Sequence, residues 1–259
     1  MSDPTPLLYT TQNAVARITI NRELQRNALN PEAIALFLDA LDQAENDKSI
    51  RAILVTGSGD KAFCTGADLG SAIASHQDAL PVAKNYARLL YRLATCPKPT
   101  LAMVKGFCLA GGIGLMLACD LVMAEESSRF GTPEVNVGLF PMMIGALIFR
   151  NVPRKKAMEM ILTGRMISSS EAVTMGLVTS LAPKETLEKE VDKMLETLAS
   201  KSPMGLKMGK EAFAQAQEKP LEEALYDLSE ALVNVIGTQD AAEGISAFKE
   251  KRKPQFIGA

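Results

Sequence analysis

Two glycine-containing segments of this 259-residue chain have the residue types needed to bind a negatively charged oxygen. They are residues 62–69 (AFCTGADL) and 105–115 (KGFCLAGGIGL). Each follows a predicted strand, and in each a small residue stands where the backbone must turn, so that an N–H group can point at a ligand. The second segment leads into an apolar helix predicted from residue 115, whose N-terminus adds partial positive charge. Two such donors form an oxyanion hole; the alternative is that the glycines only permit tight strand-to-helix packing.

Proton transfer is predicted to depend on carboxylate, lysine or tyrosine side chains. The single histidine, His76, stands in a polar stretch, which argues against an imidazole base, a catalytic triad or a histidine-containing metal site. The cysteines have apolar neighbours and form no C-x-x-C pair. This predicts reduced core residues rather than disulfides or metal ligands for Cys64, Cys96, Cys108 and Cys119.

Other glycine motifs do not fit this sequence. Gly112 and Gly114 lack the third glycine of a dinucleotide-binding fingerprint, because position 117 is Leu, and no acidic ribose partner follows at the expected distance. There is no P-loop lysine and serine, and residues 57–59 (GSG) lack the spacing of a nucleophile elbow. Dinucleotide, nucleoside triphosphate and serine-hydrolase chemistry are therefore not expected.

The charge and hydropathy of the sequence indicate which kinds of molecule this protein binds. The chain has 28 Lys and Arg residues against 30 Asp and Glu, and its net charge is −2. This near balance argues against a nucleic-acid or membrane-surface partner and favours a small or weakly charged one. The N-terminus has no basic region and no apolar stretch reaches the ~18 residues of a membrane span, so we expect a cytoplasmic protein.

The elements that must position the glycine segments alternate between strands and helices. Strands are predicted at residues 15–20, 53–56, 100–104 and 120–124, and helices at 31–44, with Asn30 as N-cap, and 83–93. After residue 185 only amphipathic helices are predicted, at 186–198, 204–215, 221–235 and 241–251. We therefore expect an α/β core over residues 1–200 and a helical region over 201–259, which packs on itself or on another subunit.

Further motifs accompany the two glycine segments in order along the chain. They are residues 18–22 (ITINR), 27–30 (NALN), 110–112 (AGG), 119–120 (CD), 130–134 (FGTPE), 162–164 (LTG), 170–172 (SEA), 176–178 (GLV) and 247–253 (AFKEKRK). Together they resemble the enoyl-CoA hydratase/isomerase (crotonase) superfamily, and the resemblance runs from about residue 7 to residue 257.

The resemblance implies an α/β fold in which ββα units form a spiral core, followed by a C-terminal helical trimerisation region. Homotrimers of this type often pair into homohexamers. The implied substrate is an acyl-CoA thioester, and because CoA is part of the substrate, neither a separate cofactor nor a metal is expected. The resemblance assigns the backbone N–H groups of Ala67 and Gly111 to the thioester oxygen, where they stabilise an enolate.

Glu134 is the proton-transferring carboxylate that the resemblance implies. Hydratases of the superfamily hold a water between two glutamates, but the position of the first reads Gly114 here. One glutamate matches the 3-enoyl to 2-enoyl-CoA isomerases, in which a single base moves a proton from the α-carbon to the γ-carbon. Its pKa should be raised by an apolar pocket, for which the candidates are Val135, Val137, Leu139, Phe140 and Met142. Glu125 and Glu126 are expected to face solvent, although either could replace the missing carboxylate.

The resemblance also implies a CoA channel. It is formed by Arg22, Leu24, Arg26 and Ala28 together with Thr65, Asp68 and Leu69. Phe248 and Lys251 are implied to reach in from the C-terminal helix of the same or a neighbouring subunit, although Lys251 could equally be a solubilising charge. At the acyl end we expect Met142, Met143, Ile144 and the helix within residues 81–93.

Three functions remain open. The favoured one is an acyl-CoA enzyme that uses Glu134 for isomerase-type proton transfer. The alternative is an enoyl-CoA hydratase that places its water with Glu134 and backbone groups, and the third is a non-catalytic acyl-CoA-binding subunit. Decarboxylation and thioester hydrolysis, which are other enolate reactions of the superfamily, also stay open.

Overall fold

The computed structural model describes residues 5–68 and 76–259. Its strands are β1 (Leu7–Gln12), β2 (Val15–Ile20), β3 (Ala52–Gly57), β4 (Ala62–Cys64), β5 (Thr100–Val104), β6 (Phe107–Leu109), β7 (Leu121–Glu125), β8 (Arg129–Gly131), β9 (Ile167–Ser168) and β10 (Ser180–Ala182). Its helices are α1 (Pro31–Asn46), α2 (His76–Ala94), α3 (Gly111–Leu117), α4 (Met142–Asn151), α5 (Arg154–Thr163), α6 (Ser169–Thr174), α7 (Leu187–Ala199), α8 (Pro203–Ala216), α9 (Leu221–Ile236) and α10 (Gln239–Lys249). Two 3-10 helices lie at Glu23–Gln25 and Pro133–Val137. The predicted α/β class is confirmed.

The larger sheet has six strands in the order β1-β2-β3-β5-β7-β10. β1 and β2 are antiparallel, and all other neighbouring strands of this sheet are parallel. Every residue of β3 and β5 is buried, as is usual for parallel strands that are covered on both faces. This burial is why both strands appear in the sequence as continuous apolar runs.

The smaller sheet is made of short strands in the order β4-β6-β8-β9, of which β4, β6 and β8 are parallel. β3 is followed by β4, β5 by β6, and β7 by β8, so the chain repeats one strand pair three times as it advances along both sheets. The three short strands end at the same edge, where parallel sheets commonly bind ligands. The segments that follow them are therefore brought together.

Two apolar cores hold the helices on the larger sheet. Ile53 and Val55 of β3 belong to the first core, with side chains from α1, α2 and α3. Leu54, which points to the other face, belongs to the second core, together with Leu187 and Val191 of α7. The alternation along β3 thus fixes which helices cover each face.

Several predicted elements are found, and two expectations were wrong. Asn30 caps α1 as predicted, since its Oδ1 accepts a hydrogen bond from the Ala33 N–H at 2.8 Å. The helix expected from residue 115 begins at Gly111 instead, because packing against β4 overrides the low helix propensity of glycine. Glu125 is not exposed: it is the last residue of β7, pairs with β10, and is 6% exposed. Glu126 is exposed, as predicted.

The last three helices, α8 to α10, carry many exposed apolar side chains. They include Phe213, Leu225, Leu232, Val233, Ile245 and Phe248. The Asp240 carboxylate fastens the C-terminal segment, because it accepts hydrogen bonds from the Ser202 hydroxyl at 2.8 Å and the Ile257 N–H at 2.9 Å. The division of the chain near residue 200 stays a prediction. None of the described helices is long and apolar enough to cross a membrane.

Candidate active site

The two glycine segments lie side by side because β4 and β6 pair in parallel. Gly66 follows β4 with a φ of +99°, a conformation that glycine adopts readily. A Cβ atom on Gly66 would lie 2.9 Å from the backbone nitrogen of Gly111, and one on Gly112 would lie 2.2 Å from the carbonyl oxygen of Cys64. Both glycines permit an approach that a side chain would prevent. The turns that contain Ala67 and Gly111 are thereby brought together.

Ala67 and Gly111, whose backbone N–H groups are the predicted oxyanion donors, line the same cavity. Leu29 and Ala67 form an isolated parallel β-bridge, and its hydrogen bonds involve the residues on either side of Ala67. Leu29 N–H donates to the Gly66 carbonyl oxygen at 2.8 Å, and Asp68 N–H donates to the Leu29 carbonyl oxygen at 2.9 Å. Gly111 is the first residue of α3, where an N–H group has no partner within the helix. Both residues line one cavity, and their joint action on one bound oxygen stays a prediction.

The turn before α3 is strained. Ala110 has φ 50° and ψ −128°, which costs a residue with a Cβ atom roughly 1–3 kcal/mol. Hydrogen bonds hold the turn on both sides: Ala110 N–H donates to Gly131 at 2.9 Å, and the Tyr86 hydroxyl donates to the carbonyl oxygen of Gly111. Such strain tends to accumulate at functional sites.

Glu134 lies in the 3-10 helix that follows β8. Its Oε2 atom is buried and has no hydrogen-bond partner among the residues that the structure describes. Burial raises the pKa of Glu134 above its usual value, and a hydrogen bond from its own backbone N–H offsets part of the increase. A carboxyl group with a raised pKa can take up and return a proton near neutral pH.

Glu134 and the two N–H donors line one cavity of about 470 Å³, a volume typical of small-molecule sites. The apolar side chains in its wall include Val137, Leu139, Phe140, Met142, Met143 and Ile144. Most of the side chains expected around Glu134 and at the acyl end are therefore found here. Val135 is an exception: its Cγ2 atom faces Gly164, where an added Cβ would lie 3.0 Å away.

The space beside Gly114, where superfamily hydratases carry their second glutamate, is filled by other side chains. A Cβ atom on Gly114 would lie 2.3 Å from Ile144 Cγ2 and 3.2 Å from the Tyr86 hydroxyl oxygen. No side chain fits at position 114 unless Ile144 moves. Glu125 and Glu126 are not among the described residues that line the cavity, so neither replaces the missing carboxylate there.

The loop after β2 packs against the segment after β4 through Arg22. Its Nη2 atom lies 2.8 Å from Asp68 Oδ2, and its guanidinium also donates to the carbonyl oxygen of Ala28. The Arg22 N–H donates to Asn27 Oδ1 at 3.0 Å, and the fully buried Asn27 donates through Nδ2 to Ala62 at 2.7 Å. Three residues expected in the CoA channel, Arg22, Ala28 and Asp68, are thus in contact.

The other residues expected in that channel differ in their placement. The Thr65 hydroxyl donates to the carbonyl oxygen of Arg26 at 3.3 Å, so these two residues also meet. Leu24 is nearby in the chain and 95% exposed. Leu69 and the side chain of His76 lie outside the part of the chain that the structure describes.

Phe248 and Lys251 are not among the residues that line the Glu134 cavity of the same chain. Phe248 is 85% exposed and lines a separate apolar cavity with Val235, Ile245 and Phe256. Lys251 follows α10, is exposed, and has a φ of 55°. Within one chain, the structure does not bring either side chain to the candidate site.

Tyr86 is the site residue that sequence reasoning missed. Its helix was expected to form part of the acyl pocket, but no motif singled out its hydroxyl. Tyr86 shares the buried face of α2 with Leu89, Leu90 and Leu93, at helical spacing. A polar group on an apolar face was the signal that could have found it, because a buried hydroxyl needs a partner.

Comparisons with known proteins point to one family. The sequence model of the enoyl-CoA hydratase/isomerase family matches residues 10–259. A Thermus thermophilus protein provisionally named an enoyl-CoA hydratase is 39% identical, over 93% of this chain and 97% of its own length. The Escherichia coli 2,3-dehydroadipyl-CoA hydratase is 34% identical, over 97% and 98%. The crystal structure of an enoyl-CoA hydratase from Bacillus anthracis superimposes with a TM-score of 0.94 at 32% identity, over 98% of this chain and 100% of the other.

Proposed function

Because this chain belongs to the enoyl-CoA hydratase/isomerase family and is an acyl-CoA enzyme, we propose that it performs isomerase-type proton transfer with Glu134 as its single acid and base. In this reaction the Glu134 carboxylate removes a proton from the α-carbon of a 3-enoyl-CoA. The electron pair moves onto the thioester oxygen and forms a dienolate. The protonated carboxyl group then returns the proton to the γ-carbon, which leaves the double bond between the α- and β-carbons.

The observation that carries the proposal is the contact beside Gly114. Addition of water requires that a nucleophile be activated and placed at the β-carbon. Here Ile144 occupies the space beside Gly114, and the carboxylate in the described wall of the cavity is Glu134. One carboxylate is sufficient to move a proton between two carbons, because it is regenerated at the end of the transfer.

The N–H groups of Ala67 and Gly111 would stabilise the dienolate. Their interaction with the thioester oxygen strengthens as negative charge develops there, which lowers the barrier rather than only tightening binding. Removal of one donor of this kind typically costs about 3 kcal/mol of transition-state stabilisation. The close packing of Gly66 against Gly111 supports this assignment, because it fixes the separation of the two turns.

The composition of the cavity wall supports a substrate whose acyl chain has no charged group at its end. The acyl chain of 2,3-dehydroadipyl-CoA, the substrate in the name of the E. coli relative, ends in a carboxylate. The described wall of this cavity contains no Lys or Arg, and residues 69–75 contain none either. A terminal carboxylate would therefore find no Lys or Arg partner among the described residues of the wall, and Glu134 would repel it.

CoA is proposed to bind along the loop after β2 and the segment after β4, which meet where Arg22 contacts Asp68 and Thr65 contacts Arg26. Phe248 and Lys251 are proposed to complete this channel from a neighbouring subunit, since their own chain does not bring them to it. The exposed apolar side chains of α8 to α10 support a homotrimer or a homohexamer. Sedimentation velocity would test this, because a monomer at micromolar concentration would refute the shared channel.

The names of the relatives favour a second candidate, an enoyl-CoA hydratase. In that reaction a water held by Glu134 and backbone groups would add to a 2-enoyl-CoA. Acid–base groups typically contribute 10²–10⁴-fold each, roughly, so hydration without the second carboxylate should be slow.

The test is chromatographic separation followed by mass spectrometry of a 3-enoyl-CoA and a 2-enoyl-CoA incubated with the enzyme in deuterated water, since the two isomers have the same mass. Double-bond migration or deuterium uptake without gain of water is the expected result, reduced about 10²–10⁴-fold in Glu134→Gln. Glu126→Gln is the matched control, because this exposed carboxylate does not line the cavity. Rapid, Glu134-dependent gain of water would establish the hydratase instead. CoA binding without double-bond migration, exchange or gain of water would show a non-catalytic subunit.

A further inference from the structure

Tyr86 has a hydroxyl group that is placed at the reacting end of the cavity. Tyr86 is 9% exposed, lies on α2 and lines the cavity together with Glu134. Its hydroxyl oxygen would lie 3.1 Å from a Cβ atom on Gly111 and 3.2 Å from one on Gly114. The hydroxyl therefore lies over both glycines and occupies part of the space that a carboxylate at position 114 would need.

The Tyr86 hydroxyl binds the turn at Ala110 and Gly111, which carries one of the proposed oxyanion donors. Tyr86 donates to the carbonyl oxygen of Gly111, which belongs to the peptide immediately after the one that carries the Gly111 N–H. On the other flank, Ala110 N–H donates to Gly131 at 2.9 Å. The peptide between Ala110 and Gly111 is thus held from both sides.

The turn needs such support because Ala110 is strained. A residue with a Cβ atom at φ 50° and ψ −128° tends to relax toward common backbone angles unless its surroundings prevent it. Relaxation would rotate the peptide that carries the Gly111 N–H and move this donor away from the thioester oxygen. Oxyanion stabilisation depends on the position of the donor, so a small rotation reduces it.

We propose that Tyr86 is a positioning residue, whose hydroxyl bond to the Gly111 carbonyl oxygen holds the strained turn so that the Gly111 N–H points at the thioester oxygen. This inference rests on the proposed function, because it assigns the N–H of Gly111 to the enolate. Burial raises the pKa of Tyr86 well above its usual value, with smaller contributions from Cys64, Cys108 and Glu134. The hydroxyl therefore keeps its proton and remains a donor throughout the neutral range.

Tyr86→Phe tests the inference, because it removes the hydroxyl and keeps the ring that packs in the core. Tyr91→Phe is the matched control, since Tyr91 lies on the same helix, is 68% exposed and does not line the cavity. In Tyr86→Phe we expect kcat for double-bond migration to fall about tenfold, the size of one net hydrogen bond, while KM changes less than about twofold. Tyr91→Phe should change neither constant.

Hydrogen–deuterium exchange of the backbone supplies a second readout that does not need turnover. A peptide that covers residues 108–116 should exchange faster in Tyr86→Phe than in the native protein or in Tyr91→Phe. If the native enzyme moves the double bond and Tyr86→Phe matches it within twofold in kcat, the positioning role is refuted. Unchanged backbone exchange in Tyr86→Phe would refute it equally. If the native enzyme neither moves the double bond of a 3-enoyl-CoA nor exchanges its α-protons, the proposed function fails, and the backbone measurement alone decides whether Tyr86 holds the turn.

Discussion

Gly114→Ala should destabilise this protein mainly through a clash with Ile144. The new methyl group would lie 2.3 Å from Ile144 Cγ2, and its position is fixed because Gly114 is inside α3 and buried. Overpacking of this kind costs about 1–3 kcal/mol, while replacing glycine by alanine within a helix returns about 1 kcal/mol. We expect the free energy of unfolding to fall by about 1 kcal/mol, the difference between the two effects.

Ile144→Leu should remove that cost, because leucine has no methyl branch on its Cβ atom. Alone, this volume-conserving change should cost less than about 1.5 kcal/mol. In the double variant Gly114→Ala/Ile144→Leu, the clashing atom is absent and the helix propensity of alanine is retained. The two changes should therefore couple favourably by about 1–2 kcal/mol.

Urea denaturation of the four proteins, at one fixed protein concentration, measures this coupling. Gly145→Ala is the matched control: Gly145 lies in α4 beside Ile144, and no described atom lies within 4 Å of its added Cβ. It should stabilise the protein by about 0.5–1 kcal/mol. The reasoning is refuted if the cycle is additive within about 0.5 kcal/mol, or if Gly114→Ala stabilises as Gly145→Ala does. Favourable coupling in this cycle would also mean that a second carboxylate can be introduced at position 114 only after Ile144 is changed.

Other predictions concern strain, titration and reactivity. Ala110→Gly should raise the free energy of unfolding by about 1 kcal/mol in urea, since it relieves strain of roughly 1–3 kcal/mol and loses about 0.4–1 kcal/mol through the unfolded chain; a decrease would show that the turn is not strained. Burial raises the pKa of Glu134 in the folded protein above its value in the unfolded chain. The contribution of this carboxyl group to the free energy of unfolding is therefore complete only below the unfolded pKa, and it is lost as the pH rises through the folded pKa. The change in the free energy of unfolding caused by Glu134→Gln should therefore be more favourable at pH 8 than at pH 4. An equal change at both pH values would contradict the burial argument. Burial raises the pKa of Cys64 to about 12, so iodoacetamide should leave it unmodified at pH 8 until urea unfolds the chain, as mass spectrometry of its peptide would show.

Sequence patterns predicted the long elements because their periodicity extends over several turns. β2 and β5 have the predicted bounds, and α1 extends the predicted helix by two residues, from 44 to 46. The three-residue strands β4, β6 and β8 are too short to show any period, so the smaller sheet was not predicted from pattern. Its strands are specified by pairing between distant segments, which a local pattern does not record.

The candidate site was predictable where a motif names the residue and unpredictable where packing decides. Glu134, Ala67 and Gly111 lie in recognisable segments, and the structure brings them to one cavity. The contact of Ile144 and Tyr86 with the space beside Gly114 joins three elements far apart in sequence, so its existence depends on tertiary structure alone.

The threefold repetition of strand pairs has a consequence for folding. Ala67 follows β4, Gly111 follows β6 and Glu134 follows β8, so each turn of the spiral contributes one group to the cavity. These groups meet only after Ala62 of β4 has paired with Phe107 of β6, and Phe107 with Arg129 of β8, and such pairing between distant segments is a slow step. A nascent chain therefore has no partial activity, and the appearance of turnover during refolding should report the last strand pairing rather than the first collapse.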